Sequence, residues 1–136
     1  MKFAIVIFIL LCFAGCSNNK EYDINTEELY TKGRASIEMI EKKNPRQFLR
    51  VAGSSKKNLL KQTVVKGNIY NNARVVTYKD VAIKLKFLSK TGALLEEDTQ
   101  VIYESIHPGG SQTFKSKFFA PKGTDSVSMA VIGAKL

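Results

Sequence analysis

Beyond Cys16 the sequence has no cysteine, and it has no tryptophan anywhere. Cys12 and Cys16 both lie in the first sixteen residues. A disulfide framework, a thiolate metal site and a cysteine nucleophile are therefore excluded from everything that follows. Histidine is almost as scarce: His107, beside Pro108-Gly109, stands alone. One imidazole without thiols cannot supply the usual three or four zinc ligands. Ser105 and Ser111 lie close enough in sequence to borrow His107 as a base. No orienting acid or nucleophile-elbow pattern accompanies them, so His107 reads as an exposed turn residue. Glu96-Glu97-Asp98 lacks calcium-loop spacing and reads as an acidic hairpin. Asp80, after Tyr78-Lys79, reads as a residue that fixes a strand entry. Gly109-Gly110 and Gly123 are too few for a phosphate cradle. The expectation is a protein that is not an enzyme and has no cofactor.

Long apolar runs are also rare, with one exception. Phe3 to Phe13 (FAIVIFILLCF) is free of charge, follows Met1-Lys2 and precedes the small pair Ala14-Gly15. A membrane-spanning helix needs about 20 apolar residues, so this run has the length and flanks of a secretory signal over 1–15. With Cys16 directly after the small pair, the stretch resembles the bacterial lipobox. That resemblance implies diacylglycerol on the Cys16 sulfur, cleavage before it and acylation of the new amino group. Acyl chains contribute about 0.8 kcal/mol per buried methylene, enough for two or three of them to anchor a protein without a transmembrane helix. Ser17 stands where aspartate resembles an inner-membrane retention signal, so the expectation is membrane anchorage outside the cytoplasm. The outer membrane is expected rather than the inner, with the protein facing the periplasm or the surface. The segment 16–25 reads as a polar tether.

Basic residues outnumber acidic ones, 21 to 12. Without Lys2, the only charge before Cys16, the remainder carries 20 − 12 = +8. Such an excess favours anionic partners.

Thr26-Glu27-Glu28 is a helix start, with a capping hydroxyl and acids facing the positive end of the dipole. Leu29, Gly33, Ser36, Ile37 and Ile40 fall on one helical face, and Lys42-Lys43 before Asn44-Pro45 mark the end. An amphipathic helix is expected over 26–43, within a segment 26–44. Its stripe is expected to pack on its own domain or to serve in a semi-rigid spacer, rather than as a docking helix.

From Gln47 the period changes to two. Val81, Ile83, Leu85 and Phe87 alternate with their neighbours, as do Phe114, Ser116 and Phe118, and then Val127, Met129 and Val131. Turn signals separate these runs: Gly53-Ser54-Ser55, Asn71-Asn72, Lys90-Thr91-Gly92, Pro108-Gly109-Gly110 and Pro121 to Asp125. Strands are expected near 47–52, 58–70, 78–89, 93–106, 111–119 and 126–135. The fold class is mainly β: an antiparallel immunoglobulin-like β-sandwich over 45–136, preceded by one helix.

Gly67-x-x-x-Asn71, Tyr78-Lys79-Asp80-Val81, the Lys-Thr-Gly hairpin and Pro108-Gly109 before "FKSKF" give Val64 to Leu136 a resemblance to a family. It is similar to the small immunoglobulin-like domains of bacterial envelope proteins of the FxLYD type. The resemblance implies an extracytoplasmic accessory or binding module, with no active site to carry over.

Alternation also places Lys84 and Lys86 on the outward side of one strand, and Lys115 and Lys117 on that of another. If the two strands share a sheet, the four lysines form an anion-binding patch. The expected partners are a membrane, through the acyl chains on Cys16, and an envelope protein or anionic glycan. Nucleic acid is not expected, since the aromatic interleaving of single-strand platforms is missing. The rival class is a periplasmic carrier or chaperone for a lipid or peptide, which needs an internal cavity or an open strand edge.

Overall fold

A computed structural model describes residues 26–136. The signal segment, Cys16 and the tether lie outside the described residues. Helix α1 (Thr26–Lys43) has Glu27 and Glu28 in its first turn and Lys42 and Lys43 in its last. A single-turn helix follows, α2 (Pro45–Phe48). The sequence pattern misses it, although Pro45 occupies the first helical position, where its absent N–H costs nothing.

Six strands come next: β1 (Leu49–Lys57), β2 (Thr63–Asn71), β3 (Lys79–Leu88), β4 (Leu94–Ile102), β5 (Ser111–Phe118) and β6 (Ser126–Lys135). They form two three-stranded antiparallel sheets with the orders β1-β2-β5 and β4-β3-β6. This is the sandwich arrangement expected from the alternation, with β3 and β6 meeting in one sheet and β2 and β5 in the other.

The core forms where inward residues of the sheets meet. Val65 and Ile69 of β2 face Val81, Ile83, Leu85 and Phe87 of β3, all almost completely buried. Phe87 and Phe118 meet edge to face across the two sheets, their centroids 5.7 Å apart. On the side where β4 and β5 lie, the Gln100 side-chain amide donates a hydrogen bond to the Ser116 hydroxyl.

Gly53-Ser54-Ser55 carries a turn signal in the sequence, but it lies within β1. Gly53 pairs with Gly67 of β2, and a Cβ on Gly53 would fall on the Lys66 carbonyl and the Gly67 Cα. Here glycine permits close strand approach rather than a reversal. The Phe114 ring then lies across Gly67, where a Cβ would come within 2.5 Å of it, an aromatic cover for a bare strand position. The actual reversal is at Asn58–Gln62. There the Asn58 Oδ1 accepts from the Leu60 and Gln62 amides, and Lys61 takes a positive φ of 60°. This moves the start of β2 from the expected residue 58 to Thr63.

Candidate functional site

Two features draw the eye to function: how α1 is held, and how charge is divided between the sheets. The stripe of α1, expected either to pack on its own domain or to serve in a semi-rigid spacer, is mostly exposed. Leu29 is 58% exposed and Ile40 51%, while Ile37 is half-buried. The buried residue of the helix is Glu41, at 2%. Its Oε1 accepts from the Arg74 amide at 2.6 Å, and its Oε2 from the Val75 and Val76 amides at 3.0 Å each. The receiving loop is shaped by buried Asn71, whose side-chain amide donates to the Val76 and Ile106 carbonyls while its Oδ1 accepts from the Ala73 amide. Tyr78, fully buried, donates its hydroxyl to the Glu41 carbonyl at 2.7 Å.

Burial pushes the Glu41 pKa upward. The three amide bonds and the nearby Arg74 charge outweigh it, and the net direction is below the usual carboxylate value. Burial, reinforced by the Glu41 charge, pushes the Tyr78 phenol up to about 12. One buried carboxylate thus fixes the C-terminal end of α1, and most of the helix stands in solvent. Periodicity could not reveal this, because Glu41 lies beside the apolar stripe and its partners are backbone amides.

The four expected patch lysines do not come together. Lys84 and Lys86 lie on β3, and Lys115 and Lys117 on β5, in different sheets. The single four-lysine patch is therefore corrected. The charge of the first pair is also partly offset: Glu97 of β4 lies 3.4 Å from the Lys84 ammonium and 3.5 Å from that of Lys86. Hydrogen bonding to Lys84, ahead of the lesser contribution of Lys86, holds the Glu97 carboxyl below its ordinary value.

The second pair belongs to a different cluster. β1, β2 and β5 contain no carboxylate at all. Their register aligns Arg50, Lys56, Lys66, Lys115 and Lys117 at exposed positions, with Lys66 directly opposite Lys115. None of these five forms an ion pair among the described residues. Like charges directly opposite in a ladder are destabilising, and nothing in the fold offsets this pair. Lys66 and Lys115 border a hollow of about 290 Å³ that Lys56, Lys57 and Ser54 also line. On their other side is a shallow hollow of about 590 Å³ bordered by Ala52, Gly53 and Thr113. The residues missed by the sequence reading, Arg50, Lys56 and Lys66, required the strand register, which alternation alone does not give.

His107 is exposed, its Nδ1 3.2 Å from the Thr77 hydroxyl, and neither Ser105 nor Ser111 approaches it in a hydrogen bond. Asp80 sits at a positive φ of 47° where β3 is bulged, its carboxylate 3.1 Å from the Lys135 ammonium. This arrangement agrees with a role in shaping the strand entry. No cluster of three or more metal-binding side chains occurs among the described residues, and none of the described helices is long and apolar enough to cross a membrane.

Set against protein-family models, curated proteins and solved structures, the chain matches none.

Proposed function

We propose that the chain is a lipid-anchored, non-catalytic module of a bacterial envelope, held through acyl chains on Cys16, whose sandwich binds an anionic glycan with its basic sheet. The observation that carries this reading is the Lys66–Lys115 pair: two exposed lysines directly opposite in the ladder, with further cations on the same three strands, which are devoid of carboxylates. An anionic polymer laid across the strands relieves that repulsion, and its repeating charges match a spread of cations better than one small ion does. Affinity in such a site is salt-sensitive and weakly specific. The tether and α1 act as a spacer between the lipid and the sandwich. Residues of α1 span about 1.5 Å each along its axis, and the Glu41 contact sets its direction at the domain end.

The anchor is tested by fractionating cells that make the full chain or its Cys16→Ala variant. The wild type is expected in the membrane fraction and the variant in the soluble envelope fraction. A Cys16→Ala protein that stayed with the membrane would refute lipid anchorage. Protease treatment of intact cells separates a surface-facing sandwich from a periplasmic one. Glycan binding is tested on a polygalacturonate column, where the full chain is expected to be retained and to elute as salt is raised. Passage without retention at low salt would refute that part.

A further inference from the structure

Helix α1 is fixed to the sandwich at Glu41, and most of its apolar stripe has no partner among the described residues. Leu29, Tyr30, Met39 and Ile40 are exposed. A hollow of about 480 Å³ is bordered by Leu29, Tyr30, Gly33 and Ile37 on the helix and by Arg74 and Val75 on the loop that receives Glu41.

One seam within the stripe is regular. Thr26, Leu29, Gly33, Ser36, Ile40 and Lys43 follow one another at alternating spacings of three and four residues, the repeat by which two α-helices pack along their length. Each residue turns the helix by about 100°, so Ile40 stands about a quarter turn round from Glu41. A second helix on the seam leaves the Glu41 contact in place.

The seam is also matched to itself. Turned end for end about a two-fold axis between Arg34 and Ala35, it sets Leu29 of one copy against Ile40 of the other, and Gly33 against Ser36. Large side chains then meet at both ends, and small ones at the centre, where the backbones approach most closely. Such a contact is isologous, one surface complementary to itself. Charge agrees with it. Glu27 and Glu28 occupy the first turn and Lys42 and Lys43 the last, so an antiparallel pair brings acidic ends to basic ends and opposes the two helix dipoles. A parallel pair would bring like charges together.

From this we infer that α1 is an interaction surface for a second copy of this chain, the two helices packing antiparallel along the seam. Charges of both signs on the helix suit such a partner better than a uniformly anionic lipid surface. At 18 residues, or about 27 Å, the seam is a short and weak interface. Attachment of the copies to one membrane, as proposed above, raises their effective concentration. The pairing does not depend on the glycan reading.

The test traps the pair by disulfide formation in cells that make the full chain, with cysteines introduced into α1. Leu29→Cys together with Ile40→Cys is expected to give a product of doubled mass on a non-reducing gel. Within one chain these positions are about 16 Å apart along the helix, beyond the reach of a disulfide. Either substitution alone is expected to give no more dimer than the wild type. A side chain at Gly33 meets no atom within 4 Å in the single molecule, and glycine is a poor helix former, so Gly33→Glu leaves the chain folded. Added to the two cysteines, it is expected to remove the trapped dimer. Glu28→Lys and Lys43→Glu, each added to them separately, are expected to lower the trapped fraction about threefold, and the two together to restore it. No dimer from the two-cysteine protein, equal trapping by the single variants, or no effect of Gly33→Glu would overturn the inference. A charge exchange that fails to restore trapping would overturn the antiparallel arrangement. A trapped product of any other mass would assign the seam to a different protein and overturn the pairing too.

Discussion

The two sheets use lysine in the same strand pattern and reach opposite electrostatic results. On β3, Lys84 and Lys86 alternate with core residues, and Glu97 of the neighbouring strand lies within 3.5 Å of both. On β5, Lys115 and Lys117 alternate in the same way, but the neighbouring strand presents Lys66 and Val64. The sequence pattern of a strand therefore says which face a lysine takes. Its charge environment is decided by the partner strand, which is distant in sequence. One sheet partly offsets its lysine charge internally. The other retains unbalanced charge, and a surface of that kind invites an anion.

The largest expected effect separates the sheets by their packing. In the first sheet, Gly53→Val would drive a side chain into the β2 backbone, with an expected loss of about 3 kcal/mol in urea unfolding as β1 is forced away. In the second sheet, a Cβ on Gly133 meets no atom within 4 Å. Gly133→Ala is expected to change stability by no more than about 0.5 kcal/mol.

Next is the contact that ties α1 to the sandwich. Glu41→Gln replaces one acceptor oxygen by a donor facing backbone N–H groups, for an expected loss of about 2 kcal/mol. The pH dependence has a definite sign. Because the folded Glu41 pKa is depressed from 4.5, its stabilisation is complete above the unfolded value and is lost as pH falls through the folded one. Acid titration of the wild type should show this loss, and Glu41→Gln should lack it. Tyr78 acts at the other extreme. With its phenol held at about 12, stability should fall as pH rises above its unfolded value of 10.0, and Tyr78→Phe should remove that slope.

The smallest effect sharpens the electrostatic comparison itself. Glu97→Gln frees Lys84 and Lys86 without touching the core. It is expected to raise polygalacturonate affinity about twofold at low salt and not at high salt.

Much of the architecture is legible in the residues. Val81 to Phe87 alternate into and out of the core, and Thr26–Lys43 carries both helix ends in its sequence. Errors arise where a residue's role depends on a partner far along the chain. Gly53 looks like a turn until Gly67 is placed beside it. Glu41 looks like a surface charge until the amides of residues 74–76 surround it. The lysine patch fails for the same reason: the face of each lysine is local information, while membership of a sheet is topological. Of the five members of the basic cluster, alternation shows Lys115 and Lys117, and the other three need the register of β1 and β2.

The most direct test compares two charge-reversed proteins of equal net charge on the polygalacturonate column. One carries Lys66→Glu with Lys115→Glu, and the other Lys84→Glu with Lys86→Glu. If the first sheet is the binding surface, the first variant loses about tenfold in affinity and the second less than twofold. Equal losses in both would mean that overall charge alone drives retention, and would contradict a binding face on the β1-β2-β5 sheet.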